Sequence, residues 1–119
     1  HLQGDRVLID FCQVVQALLP AEGHFARLGG EEFAAILPGT SEDAERVCER
    51  IRLATQLSQP NDVCYTVSIG YATANHRDHT FPILLGLADE ALYRAKASGR
   101  NRVERYFVQL QPIQEAAVF

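Results

Sequence analysis

No apolar run in this sequence approaches the ~20 residues that a membrane-spanning helix needs. The opening His1-Leu2-Gln3-Gly4-Asp5-Arg6 also lacks the charged-then-apolar layout of a secretory signal. Lysine is nearly missing: of 11 basic residues only Lys96 is one. A formal charge of -4 gives no global attraction to nucleic acid or to an anionic membrane, so phosphate binding would need a local site. Cysteine is scarce and odd in number (Cys12, Cys48, Cys64), with no C-x-x-C pair. Each falls on an apolar helix face or in a strand, which reads as buried free thiols in a reducing cytosol rather than metal ligands. The histidines His1, His24, His76 and His79 have no metal-ligand spacing on any predicted helix. What is left is one small cytosolic domain of 119 residues, 47% hydrophobic and 22% charged, a balance that excludes disorder and low-complexity function.

The hydrophobic pattern divides this domain into helices and strands. Leu8, Phe11, Cys12, Val15, Leu18 and Leu19 recur at helical spacing after Gly4-Asp5, and Pro20 stops the run. Two apolar stretches, His24 to Leu28 and Phe33 to Leu37, flank Gly29-Gly30-Glu31-Glu32 and predict a β-hairpin. Thr40 and Asp43 form a capping-box-like pattern ahead of a helix with Ala44, Val47, Cys48, Ile51, Ala54 and Thr55 on one face, ending near Leu57. Glu45, Arg46, Glu49, Arg50 and Arg52 read as its solvated side. Asn61-Asp62 marks a turn, and Cys64 to Ala72 alternates as a strand does. A polar loop over Asn75 to His79 leads to a last helix, capped by Thr80 and closed by Gly99, with Phe81, Leu84, Leu85, Ala88, Ala91, Leu92 and Ala95 on its apolar face. Arg102 to Val108 reads as a closing strand. The order helix, hairpin, helix, strand, helix, strand is that of a mixed α+β domain over 1–108, with 109–119 a tail or linker.

Three places offer chemistry. Gly29 and Gly30 let a ligand approach the backbone and leave N–H groups for phosphate oxygens. Glu31 and Glu32 supply oxygen donors for Mg²⁺, and strand alternation gives the two acids different jobs. Taken alone, the same four residues also describe a hairpin tip with solubilising acids. Lys96 and Arg100, at the end of the last helix, suit either a helix C-terminus or a triphosphate, with arginine able to fork onto two oxygens. Asp5 is placed as a first-turn helix acid, or as an acceptor for the N1–H and amine of a guanine.

Together these segments resemble the GGDEF domain, the diguanylate cyclase family. The likeness runs from His1-Leu2-Gln3-Gly4-Asp5-Arg6-Val7-Leu8 through Ala26-Arg27-Leu28-Gly29-Gly30-Glu31-Glu32-Phe33 to Ser68-Ile69-Gly70. It continues into Ala88-Asp89-Glu90-Ala91-Leu92-Tyr93 and Ala95-Lys96-Ala97-Ser98-Gly99-Arg100-Asn101. The resemblance implies condensation of two GTP into cyclic di-GMP, with release of pyrophosphate, in a bacterial signalling protein. It implies a mixed, largely antiparallel central sheet flanked by helices, similar to nucleotide cyclases and polymerase palms. By position it makes Glu31 a ligand of Mg²⁺ (or Mn²⁺) and Glu32 a second catalytic acid. Gly29 and Gly30 lie against the phosphates, Lys96 and Arg100 hold the β- and γ-phosphates, and Asp5 contacts guanine. The partners implied are GTP, a second copy of the domain and an upstream sensor or regulatory domain, with no nucleic acid.

The family pattern also contains Asn-Asp-x-x-Gly-His, and this sequence begins at its histidine. The expectation is a cytoplasmic piece of a longer parent open to membrane attachment, lacking the family's first strand and second metal aspartate and inactive alone. The alternative is a degenerate GGDEF-like module that binds GTP or product to regulate a neighbour. A family product-inhibition motif, Arg-x-x-Asp, falls here on Pro20 and Gly23, which predicts a parent without tight non-competitive product inhibition.

Overall fold

The structure is a computed structural model that describes residues 2–74 and 80–106. Helix α1 spans Leu2–Leu18. It starts earlier than its apolar period suggests, because its first turn, whose N–H groups lack helical partners anyway, takes in Gly4 and Asp5. Asp5 then sits where a carboxylate meets the positive end of the helix dipole. At the other end Pro20, with no N–H to give, turns the chain, and the Gly23 N–H closes the turn onto the Pro20 carbonyl at 2.9 Å.

Strands β1 (His24–Gly29) and β2 (Glu32–Ile36) pair antiparallel as the predicted hairpin. One face of it carries Phe25 and Phe33, stacked at 5.4 Å between ring centroids. Both rings meet the edge or face of Phe11 on α1, at 6.1 and 5.2 Å. This aromatic trio fastens the hairpin to α1. Leu28 and Ile36 remain about half exposed, at 51% and 47%.

Helix α2 (Ser41–Leu57) begins as its sequence predicts. The Asp43 N–H donates to Thr40 Oγ1 at 3.2 Å and the Thr40 N–H donates to Asp43 Oδ2 at 3.0 Å, a complete capping box. Its buried stripe is Cys48, Ile51 and Thr55. A single 3-10 turn at Pro60–Asp62 follows, with Asn61 and Asp62 in left-handed conformation at φ +52° and +62°. Asp10 of α1 ties this region in: one carboxylate oxygen accepts from Ser58 Oγ and from Tyr65 Oη, each at 2.7 Å. Burial, and after it the bond to Asp10, pushes the Tyr65 phenol well above its ordinary range.

The predicted strand from Cys64 to Ala72 is only partly a strand. Ladder pairing is confined to β3, Ile69–Tyr71, which lies parallel to β4, Val103–Arg105. Parallel strands need a crossover, and helix α3 (Phe81–Ala97) supplies it. The alternation still sets the faces before β3: Tyr65 and Val67 are half-buried, whereas Cys64 and Thr66 are exposed. Cys64 therefore departs from the buried thiol expected, because period 2 puts it opposite Tyr65. Cys12 is half-buried and Cys48 fully buried; all three are free. Burial, followed by the charge of Glu45, pushes the Cys48 thiol up to about 12.

Two further expectations need correction. Thr80 occupies the N-cap of α3, but its side chain makes no capping hydrogen bond. Phe81 is 46% exposed rather than part of the apolar face, since it stands in the first turn, beyond the stretch where α3 meets β3. That stretch is very close-packed. A Cβ on Gly70 would collide with the Leu92 amide nitrogen and the Ala88 carbonyl oxygen of α3. Ala91 and Ala95, both wholly buried, complete this small-residue seam. The described residues thus form an α+β fold of three helices with one antiparallel and one parallel strand pair, not hydrogen-bonded to each other. The loop Asn75 to His79, the end of the predicted closing strand and the tail 109–119 lie outside the described residues.

Candidate functional site

The hairpin tip is built by its sequence. Arg27 pairs with Phe33 and Gly29 with Glu32, so Leu28 is an extra residue that bulges the strand ahead of the turn. The turn residues are Gly30 and Glu31, one step later than the glycine pair itself suggests. Gly30 has φ +51°, a conformation that favours glycine at the first position of a two-residue hairpin. Arg27 Nε donates to the Gly30 carbonyl at 2.7 Å and its guanidinium lies 5.9 Å from the Phe33 ring centroid, which stiffens the tip. Among the described residues, no atom beyond the adjoining residues comes within 4 Å of where a Cβ on Gly29 or Gly30 would stand. Glu31 and Glu32 are exposed, and neither side chain has a hydrogen bond or ion pair among the described residues.

The end of α3 is a second built feature. The Arg100 N–H donates to the Ala95 carbonyl at 2.9 Å and the Gly99 N–H to Lys96 at 3.4 Å, the paired bonds of a Schellman cap. Gly99 has φ +119°, as such a cap requires, and the left-handed run goes on through Arg100 at +64° and Asn101 at +47°. Lys96 and Arg100 are exposed, and their side chains have no partner among the described residues.

Asp5 stands apart from both. It lines an open cleft of about 560 Å³ with Arg6, Ile9, Asp10, Gln13, Pro60 and Asn61. With the Asn61 amide turned as bonding requires, its oxygen accepts from Arg6 Nε and Nη1 at 3.0 and 3.3 Å. The predicted site residues thus fall into three groups, on the hairpin tip, the α3 end and the first turn of α1. Among the described residues no hydrogen bond or ion pair joins one group to another, and no three His, Cys, Asp or Glu side chains gather to hold a metal. Pro20 and Gly23 are the two ends of a tight turn, and Arg50 is exposed on α2.

This frame matches known proteins throughout. Residues 1–102 match the family described as "Diguanylate cyclase, GGDEF domain". The chain belongs to the GGDEF family. It is 40% identical over 111 residues to the response regulator PleD of Caulobacter vibrioides, an alignment covering 87% of this chain and 24% of PleD. It spans about a quarter to about a third of the length of the curated relatives it matches. Among solved structures, it is similar to the active GGEEF domain of a diguanylate cyclase from Vibrio cholerae. The TM-score is 0.80 at 28% identity, over 92% of this chain and 72% of that one. The GGDEF domain of DgcB from Caulobacter crescentus, solved in complex with c-di-GMP, gives 0.80 at 31% identity over 89% and 66%.

One GGDEF residue escaped the sequence reading. Arg52 is not on a solvated face: its side chain is 15% exposed. Its bonds to Glu49 and Gln56 follow helical spacing, but the one to Asn101 spans 49 residues and has no local signal.

Proposed function

We propose that this chain is the catalytic domain, over 1–108, of a diguanylate cyclase that condenses two GTP into cyclic di-GMP and releases pyrophosphate. The observation that carries the reading is the state of four charged side chains. Glu31, Glu32, Lys96 and Arg100 are all exposed and without a side-chain partner among the described residues, on a hairpin tip and a helix end whose backbones are tightly specified. Surface acids and cations without partners are common singly. Here the two acids adjoin the open space over Gly29 and Gly30, where phosphate oxygens can reach backbone N–H groups, and the two cations share one helix end.

In this reading Lys96 and Arg100 bind the β- and γ-phosphates, lysine as a point charge and arginine through its fork. Asp5 orients guanine by accepting from its N1–H and exocyclic amine. Glu31 and Glu32 suit Mg²⁺ or Mn²⁺, since such ions take one or two carboxylates and complete their shell with substrate phosphates and water. Held there, a divalent ion would supply Lewis-acid chemistry at the α-phosphate and at the attacking 3′-hydroxyl. Glu31 would hold the ion, while Glu32, at the next position, would be the second acid of the site. Each domain carries one GTP, so the partner is a second copy facing the first, both under an upstream sensor or regulatory domain. The reading supports a cytoplasmic site; none of the described helices is long and apolar enough to cross a membrane.

The test is Glu31→Gln in the full natural chain. The amide keeps the shape and removes the charge, so cyclic di-GMP formation from GTP and Mg²⁺ should fall by about 100-fold or more with the thermal midpoint unchanged. Near-normal turnover in a folded variant would make Glu31 a solvated tip acid. GTP binding without turnover in the unaltered chain would make the domain a regulatory nucleotide-binding module.

A further inference from the structure

Arg52 uses every nitrogen of its guanidinium inside the fold. Nε and Nη2 donate to the two carboxylate oxygens of Glu49 at 2.7 and 2.8 Å, a forked pair. Nη1 donates to Gln56 Oε1 at 3.1 Å and to Asn101 Oδ1 at 3.0 Å. Asn101 is then held twice more: its Nδ2 donates to Gln56 Oε1 at 3.3 Å and its backbone N–H to Ser68 Oγ at 3.1 Å. Helix α2, the approach to β3 and the loop after α3 therefore converge on one asparagine.

The conformation they hold is costly. A left-handed backbone is disfavoured for residues that carry a Cβ, asparagine least among them. Arg100 and Asn101 adopt it consecutively, at φ +64° and +47°. Such a pair persists only where its surroundings over-determine it. The backbone N–H of Arg100 closes the α3 cap onto Ala95, but its side chain has no partner among the described residues. The strain fixes the backbone from which an unpaired guanidinium projects.

We infer that Arg52 is a positioning residue: by pinning Asn101 it presets Arg100 for the terminal phosphates of GTP. The inference rests on the role proposed above for Arg100. Its physical content is preorganisation, because a guanidinium on a fixed backbone loses less freedom when it forks onto phosphate.

The experiment compares two ligands by calorimetric titration of the full natural chain: a GTP analogue whose α–β bridge resists cleavage, and GMP, which lacks the terminal phosphates. Arg100→Ala should weaken the analogue about tenfold or more and leave GMP within about twofold. Arg52→Leu should weaken the analogue about fivefold, again sparing GMP, and should add nothing in the Arg100→Ala background. Arg52→Lys should rescue little, because an ammonium cannot reproduce the fork. Should Arg52→Leu fail to fold, Asn101→Gly carries the same comparison, since glycine accepts the positive φ and deletes only the side-chain ties. Equal weakening of both ligands, or a full extra loss in the double variant, would reduce Arg52 to a structural strut and overturn the inference. If Arg100→Ala itself leaves the ratio of the two affinities unchanged, the role of Arg100 fails and this inference with it. If Arg100→Ala acts and neither Arg52→Leu nor Asn101→Gly does, only the inference fails.

Discussion

Cys48 and Cys64 show how far one side chain's surroundings decide its chemistry. Cys48 is buried in the α2 stripe and its thiol is pushed up to about 12, so almost no thiolate exists at neutral pH. Cys64 is exposed. Ellman's reagent should therefore label Cys64 within minutes in the native chain and reach Cys48 only after denaturation. Cys64→Ser should remove the fast phase of labelling and leave the slow one. Fast labelling that persists in that variant, at Cys48, would contradict the buried position described for it. Cys48 falls on the apolar stripe of a helix and Cys64 in an alternating strand-like run, so both read as buried from the sequence; the difference is one of facing.

Among the elements, α2 has the start most completely specified by local sequence. Thr40 and Asp43 cap it reciprocally, and Gly39, at φ +109°, leaves room for the Asp43 carboxylate. Replacing Thr40 with Ala should cost about 1 kcal/mol, read as a lower urea midpoint. The Asp43 carboxyl is held below its ordinary 3.8 first by the Thr40 backbone N–H and then by Arg46. A depressed folded value means that the stabilisation is complete above about pH 3.8 and is lost as pH falls through the lower folded value. Asp43→Asn should thus give a thermal midpoint that changes less with pH below 4 than that of the unaltered chain. Parallel acid limbs in the two proteins would show that the cap contributes no pH dependence. The hairpin is legible for the same local reason, since Gly29-Gly30 between two apolar runs needs no distant partner to turn. The strand before Tyr71 is different. Its alternation is readable from Cys64 onward, but among the described residues pairing is confined to Ile69–Tyr71, where β4 lies alongside.

The molecule as a whole depends on the seam between β3 and α3. Gly70 meets α3 backbone, which cannot swing aside as a flexible side chain would. Gly70→Ala should therefore cost about 3 kcal/mol or more, a large share of the stability of a domain this small. Because the same seam sets where α3 ends, nucleotide affinity should fall along with the denaturation midpoint. An unchanged midpoint would mean that α3 can shift freely on the sheet. A second prediction concerns regulation. Pro20 and Gly23 bracket a tight turn and offer neither charge nor side-chain hydrogen bonds to a second cyclic di-GMP. Initial rates of the full natural chain against added product, at several GTP concentrations, should show inhibition that saturating GTP relieves. Tight inhibition that GTP does not relieve, and that survives Arg50→Ala, would mean another product site exists.

Sequence alone determined what depends on neighbours in the chain: the helix periods, the α2 cap, a glycine-bearing hairpin turn beside Glu31 and Glu32, and Lys96 and Arg100 at a helix end. These are readable because spacings of two to four residues set both backbone geometry and side-chain facing. Tertiary structure decided what depends on residues far apart. It made Cys64 exposed, shortened the predicted strand to β3, and moved Arg52 from a solvated face to a contact with Asn101. The reason is the same in each case: a side chain's partner across 49 residues is chosen by how helices and strands pack, and no local period encodes that choice.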